Sequence, residues 1–273
     1  PMRRWRGLKS LVHDAVDHTA DLVEAANAST ARTVVGLLSH VAPLAAPARV
    51  VGALHGAATA GVVAAVKGVN RAVEAVTEAG LDRATRDRPA APEAPVPLRS
   101  DATGSAPWLG DAALAVVNAA VGDYLHDADN GLSLGMRLRA GDTFLPLDAE
   151  GLAAALPGAT GRVVVLVHGL GATEWSWCLN AADYYGDPAD NFGTLLAKDF
   201  GMTAVFVRYN TGRHVSENGR TLAALLDRLV AHYPVPVTEL VLVGHSMGGL
   251  VLRSACHYGR AAAMPWTDRV RRV

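Results

Sequence analysis

The chain has 273 residues, half of them hydrophobic, and a formal net charge of −1. The apolar content excludes a globally disordered protein, and the near-neutral charge argues against nucleic acid as a partner, because that binding draws on a large basic surface. The two cysteines, Cys178 and Cys256, build no metal-ligand cluster and indicate no disulfide framework. We therefore expect free thiols in the cytoplasm, no metal and no cofactor.

Residues 1–81 predict an α-helical N-terminal region. Apolar side chains recur at helical spacing over residues 8–26, with acidic residues between them, so that one face of the helix is apolar. Asp14 and Asp17 follow the basic start before any long apolar run, which differs from the pattern of a secretory signal. Pro1 precedes Met2, and we expect the natural start of the protein to be missing or altered here.

The stretch 50–66 contains no Asp, Glu, Lys or Arg, and small residues recur in it at about four-residue spacing. Three interpretations are open: a helix that spans a membrane, a helix that lies on a membrane surface, and a helix packed closely inside a soluble bundle. Seventeen residues are at the low end for spanning a bilayer, and Ala and Gly contribute little to insertion. Packing is therefore favoured, with peripheral membrane association through residues 50–66 as the next alternative.

The clearest boundary in the chain is the segment 82–107. It contains five prolines among Ala, Ser and Gly, which predicts a semi-extended linker. We expect the residues after it, 108–273, to form a single α/β domain.

Helical and strand patterns alternate through this second domain. A helix over 108–126 is followed by an antiparallel hairpin around Gly141 and Asp142. The later segments alternate as strand, helix, strand, helix and strand, at 162–168, 191–200, 203–208, 216–233 and 240–243. That order predicts a mainly parallel sheet built from right-handed crossovers.

The strand at 162–168 leads into a glycine-rich turn. Its apolar run is typical of a strand buried on both faces, and it ends in His168, Gly169, Leu170 and Gly171. In acyl transfer, backbone amides stabilise the developing oxyanion, and one of them comes from the loop after an early strand. Leu170 is the predicted donor, since the glycines on either side let the backbone approach a substrate.

Two loops carry side chains whose role the sequence leaves open. The first holds aromatic residues that either pack or line an acyl pocket: Trp175, Trp177, Tyr184 and Tyr185. The second follows the strand 203–208, at the sheet edge where ligands bind in open α/β sheets. Its charged residues either reach a substrate or are solvated, and we favour solvation: Arg213, His214 and Glu217.

The most specific motif is Gly244-His245-Ser246-Met247-Gly248, which follows a strand and precedes a helical pattern. Strand, sharp turn and helix are the context of a nucleophile elbow, in which the central serine is held in a strained turn above the sheet. Gly244 and Gly248 are expected to provide room for that turn, with Gly249 adding clearance for the helix. Met247 is the predicted second oxyanion donor, and His245 is expected to pack beside the elbow.

These motifs resemble those of the α/β-hydrolase superfamily, specifically its bacterial lipase- and esterase-like members. The matching segments are 167–171, 244–249 and Arg208 to His214, and the resemblance covers about residues 132–273. It implies the N-terminal part of an α/β-hydrolase-type, mainly parallel sheet, preceded by the α-helical region. It also implies a serine hydrolase that acts on acyl esters or lipids.

The residues that should activate Ser246 are not apparent. In this fold the nucleophile is followed along the chain by an acid and then by a histidine. After Ser246 the sequence offers only Asp268 and His257, and His257 lies roughly 15 Å along the same predicted helix. We expect the acid and the histidine beyond the end of the chain, which would then be a fragment of a longer hydrolase with little activity of its own.

A second hypothesis is a non-catalytic, hydrolase-like module whose helical leader binds a membrane or a partner. A continuation that carries Asp or Glu and then His would favour the enzyme, and a true absence of both would favour the module. Transfer of the acyl group to an acceptor other than water would use the same residues as hydrolysis.

Overall fold

A computed structural model describes residues 95–273, together with scattered positions between residues 4 and 71. The chain forms two compact units, Pro1–Ala91 and Pro92–Val273. Every described position between residues 4 and 71 is helical. Apart from three alanines, the stretch 50–66 lies outside the described residues, so its three interpretations stay predictions. Within the described part of the chain, no helix is long and apolar enough to cross a membrane.

The second unit is built on a six-stranded sheet. Its strands are β1 (Arg137–Ala140), β2 (Thr143–Phe144), β3 (Arg162–Val167), β4 (Thr203–Arg208), β5 (Glu239–Gly244) and β6 (Val270–Arg272). Their spatial order is β2-β1-β4-β3-β5-β6. Strands β4, β3, β5 and β6 pair in parallel, while β1 pairs antiparallel with both β2 and β4. The predicted hairpin and the predicted mainly parallel sheet are both confirmed.

Six α-helices accompany the sheet in the described residues. They are α1 (Ala106–Asp127), α2 (Ala149–Ala155), α3 (Ala181–Tyr185), α4 (Phe192–Phe200), α5 (Val215–Ala231) and α6 (Met247–Ala261). Short 3₁₀ turns lie at Ser100–Ala102, Glu174–Cys178 and Pro265–Arg269. Helices α2 and α3 span only 7 and 5 residues, which is too short for a helical hydrophobic period to stand out in the sequence.

The sheet has an apolar core on each face. Helices α5 and α6 cover one face, where their buried residues include Leu222, Leu226, Val251 and Leu252. The other face holds a smaller cluster that includes Leu98, Trp177 and Phe206. Strand β3 lies at the centre, with Val163, Val165 and Val167 in the larger cluster and Val164 and Leu166 in the smaller one, as expected for a strand buried on both faces.

Part of the segment predicted to be a linker is packed against the sheet. Val96 and Leu98 are buried, and Leu98 belongs to the smaller cluster. Polar groups of the β1–β2 hairpin bind the backbone here: Arg139 Nη1 donates to the Val96 carbonyl at 3.0 Å, and Asp142 Oδ1 accepts from the Leu98 amide at 3.1 Å. Residues 95–98 therefore lie outside any helix or strand but are held by side chains of the hairpin.

Candidate active site

Ser246 stands in a sharp turn between β5 and α6. Its backbone angles are φ 53° and ψ −122°, so it is one of four non-glycine residues with positive φ in the described chain. Such a conformation costs of order 1–3 kcal/mol, and it persists only where the surrounding structure imposes it. The turn leaves Ser246 exposed to solvent, directly before the N-terminus of α6.

The glycines around this turn have different roles. A Cβ added to Gly248 would overlap the carbonyl oxygen of Val167, and a Cβ added to Gly244 would lie 2.5 Å from the amide nitrogen of Gly249. A Cβ added to Gly249 would meet only the Gly244 carbonyl oxygen, at an ordinary 3.9 Å. The backbone therefore requires glycine at positions 244 and 248, and the clearance expected from Gly249 is not needed.

The turn after β3 lies against the Ser246 turn. A Cβ built on Gly169 would sit 3.1 Å from His245 Nδ1 and 3.2 Å from Ser246 Cβ. The exposed His245 ring thus contacts the glycine turn, beside the serine. The next residue, Leu170, projects an exposed apolar side chain.

Several backbone amides in the two turns have no acceptor in the described part of the protein, and those of Leu170 and Met247 are among them. Among the described residues, the N–H groups of Leu170 and Met247 donate to no protein oxygen, whereas the amide of Gly248 donates to the His245 carbonyl at 2.9 Å. Met247 is the first residue of α6, where helix geometry leaves an amide without an intrahelical acceptor. Both amides are therefore available to a ligand.

A model of the alpha/beta hydrolase family matches residues 164–273. The match begins inside β3 and includes both turns described above. This part of the chain belongs to the α/β-hydrolase superfamily. Comparisons with curated proteins and with solved structures gave no significant match.

His168 supports the beginning of the turn after β3. It is fully buried, its ring stacks on Tyr209 with centroids 4.5 Å apart, and its Nδ1 lies 3.0 Å from the Gly169 carbonyl oxygen. Burial lowers the pKa of His168 to about 4, so the ring is neutral near pH 7. Since a carbonyl oxygen only accepts, Nδ1 carries the proton and the ring fixes the start of the turn.

Behind the turn, the hydrolase domain contains a buried network of ion pairs. Glu174 accepts from Arg139 Nη1 at 2.7 Å and from Arg208 Nε at 2.9 Å, and Arg208 also makes a bidentate pair with Asp111 of α1. Burial raises the pKa of Glu174, but the two guanidinium groups outweigh burial and hold it below its usual range. The network joins β1, β4, α1 and the 3₁₀ turn 174–178. The sequence interpretation missed it, although Arg208 at the end of the apolar strand β4 was an available signal.

Some of the aromatic and charged loop residues pack inside the protein, and others are exposed to solvent. Trp177 is buried in the smaller core cluster and Trp175 packs against it, whereas Tyr184 and Tyr185 are exposed. Arg213 pairs with Glu217 one helical turn away at 3.2 Å, and His214 is exposed. The tryptophans therefore pack, whereas the choice between solvation and substrate contact for the charged loop stays a prediction.

Within the described residues, the Ser246 hydroxyl makes no hydrogen bond to a histidine. Helix α6 is unbroken from Met247 to Ala261, so His257 lies roughly 15 Å along it from the turn. Asp268 lies in the 3₁₀ turn before β6. No group of three or more His, Cys, Asp or Glu side chains in the described part of the chain is arranged to hold a metal ion.

Proposed function

We propose that this protein is a serine hydrolase of carboxylic esters, of the lipase or esterase type. Ser246 is the nucleophile, and the amides of Leu170 and Met247 bind the oxyanion. The observation that carries the proposal is the contact of Gly169 with the Ser246 turn, which brings two acceptor-free amides beside an exposed, strained serine.

The chemistry follows from these positions. The Ser246 oxygen attacks the ester carbonyl, and negative charge develops on the carbonyl oxygen as the tetrahedral intermediate forms. Fixed amide donors stabilise that charge more strongly than they stabilise the neutral ester, which lowers the barrier. The N-terminal end of the α6 dipole contributes in the same direction. A general base takes the serine proton, which then passes to the leaving alcohol.

An apolar acyl chain is the substrate group that best fits the surroundings of Ser246. Leu170 and Leu250 are each more than half exposed, one in the turn against Ser246 and one in the first turn of α6. Exposed leucines in these two turns favour acyl esters or lipids over strongly polar substrates.

We further propose that the acid and histidine of the triad lie outside residues 95–273. Serine is a weak nucleophile without a base, so residues 95–273 by themselves should react slowly. The same observation supports a second candidate function, a non-catalytic hydrolase-like module with a helical leader that binds a membrane or a partner.

Labelling with a fluorophosphonate probe, mapped by peptide mass spectrometry, separates the two candidates. Imidazole added to the buffer substitutes for the missing base. We expect Ser246 to be modified slowly without imidazole and faster with it. Ser246→Ala should abolish the adduct, and Ser216→Ala, which changes an exposed serine of α5, should retain it. A folded chain that stays unmodified at Ser246 in imidazole contradicts the hydrolase and supports the module.

A further inference from the structure

The end of β4 contacts the turn after β3 at three points. We propose that residues 208–211 position the oxyanion turn, and that Thr211 orients the amide of Leu170. This inference rests on the proposed hydrolase function. Thr211 would be a positioning residue, since it acts through the turn and does not itself touch a substrate.

The first contact fixes the beginning of the turn. Tyr209 is fully buried, and its hydroxyl donates to the His168 carbonyl oxygen at 2.8 Å. Burial raises the pKa of Tyr209, so the hydroxyl stays protonated and keeps donating.

The second contact fixes the middle of the turn. The amide of Gly171 donates to Thr211 Oγ1 at 3.2 Å, and Thr211 is only 3% exposed. Gly171 has φ 69°, in the left-handed region that favours glycine, so the chain reverses at this residue. Thr211 holds the Gly171 amide, whereas the amide of Leu170, the residue between Gly171 and the glycine that touches Ser246, has no protein acceptor among the described residues.

The third contact fixes the end of the turn. Arg208 binds both carboxylate oxygens of Glu174, at 2.9 and 3.1 Å from Nε, while Asp111 holds the same guanidinium from the other side. Thr173, just before Glu174, also donates to Asp111 Oδ2 at 3.4 Å. The start and end of the turn are thus tied into the buried core, and Thr211 is the contact that acts on its donor-bearing centre.

Thr211→Val is the informative change, since it removes one acceptor and keeps the branched shape of the side chain. Thr211→Ser keeps the hydroxyl and serves as the conservative control. Arg208 and Tyr209 are less suitable, because their removal leaves buried partners unpaired and disturbs the whole fold.

The test uses the Ser246→Cys background, because a thiol reacts without a dedicated base. Two rates are measured at position 246: acylation by p-nitrophenyl acetate, which passes through an oxyanion, and alkylation by iodoacetamide, which does not. Their ratio reports the oxyanion site and cancels changes in thiol reactivity. Burial raises the pKa values of Cys178, to about 11, and of Cys256, which slows their background reaction. Peptide mass spectrometry locates the adducts.

We expect the ratio in the folded protein to exceed that in the urea-unfolded protein, to fall about tenfold or more in Thr211→Val, and to be retained in Thr211→Ser. An elevated ratio that Thr211→Val leaves unchanged would overturn the positioning role and leave the hydrolase proposal standing. A ratio that is no higher in the folded than in the unfolded Thr211 protein would show that no oxyanion site exists, which overturns both proposals.

Discussion

At the scale of single residues, the Ser246 turn depends on where a Cβ can fit. The motif contains three glycines around the serine, yet only two of them face backbone atoms at closer than van der Waals distance. Gly248 lies against the end of β3, so its missing side chain allows α6 to start directly beside that strand. A Cβ added to Gly249 would make only an ordinary van der Waals contact.

This difference predicts unequal losses of stability for two neighbouring alanine substitutions. Gly248→Ala should destabilise the fold by about 1–3 kcal/mol, because the added methyl overlaps the Val167 carbonyl oxygen. Gly249→Ala, in the first turn of α6, should change stability by less than about 1 kcal/mol, since alanine favours helix. Urea denaturation of the two variants measures the difference, and equal losses would contradict the assignment.

A second residue-scale prediction concerns His168 and pH. Its pKa is about 4 in the folded protein because of burial, against an ordinary 6.5, so the unfolded chain takes up a proton first as the pH falls. The stability contribution is complete above pH 6.5, and about 3 kcal/mol is lost between pH 6.5 and 4. Urea denaturation across this range should give a steeper decline for the wild type than for His168→Asn.

The charged groups around His168 set the pH range over which the slopes can be compared. The charged groups near His168 are Glu174 and Arg208, and the lowered pKa of Glu174 makes its own contribution fall only below about pH 4.5. Slopes are therefore compared between pH 6.5 and 4.5. His214→Asn makes the same chemical change at an exposed site and should keep the wild-type slope. A His168→Asn slope equal to wild type would refute the assignment.

At the scale of elements, the buried ion pairs connect parts of the chain that are far apart in sequence. Asp111 lies on α1, Arg139 on β1, Glu174 after β3 and Arg208 on β4. Each of the four is almost completely buried, so each charge depends on its partners for solvation. The network therefore couples α1 to the sheet and to the turn after β3.

Neutralising one member of this network should lower the stability of the fold. Glu174→Gln leaves two buried guanidinium groups without full compensation, and we expect a loss of about 3–5 kcal/mol. The exposed pair of Arg162 and Glu239, at 2.7 Å, offers a matched control, and Glu239→Gln should cost no more than about 1 kcal/mol. Comparable midpoints of urea denaturation for the two variants would argue against a structural role of the network.

At the scale of the whole molecule, the second compact unit begins earlier in the chain than the first helix predicted for it. The unit begins at Pro92, whereas the sequence predicts a domain from residue 108. The intervening residues contribute Val96 and Leu98 to the core and a backbone acceptor to Arg139.

Two truncated chains test this boundary. A chain of residues 92–273 should retain the core on both faces of the sheet. A chain of residues 108–273 loses two buried side chains, each worth about 1.5–3 kcal/mol, and leaves a polar group of Arg139 without its acceptor. We expect a lower midpoint of thermal denaturation for the shorter chain, and equal midpoints would place residues 95–107 outside the folded unit.

The sequence alone determined the order of the main strands and helices, the mainly parallel sheet and the two glycine turns at the candidate site. These features are local, since a run of valines, a hydrophobic period or a glycine turn is written in neighbouring residues. It did not reveal the short helices α2 and α3, which contain fewer than two helical periods, too few for a hydrophobic pattern to stand out.

Only the tertiary structure decided which groups meet. The contact of Gly169 with Ser246, the bond from Gly171 to Thr211 and the pairing of Arg208 with Asp111 join residues that lie 40 to 97 positions apart. It also showed that glycine is required at position 248 but not at position 249, although the two positions look equivalent in the sequence. Burial, pKa and backbone clearance depend on what packs around a residue, and that depends on the long-range crossovers of the sheet.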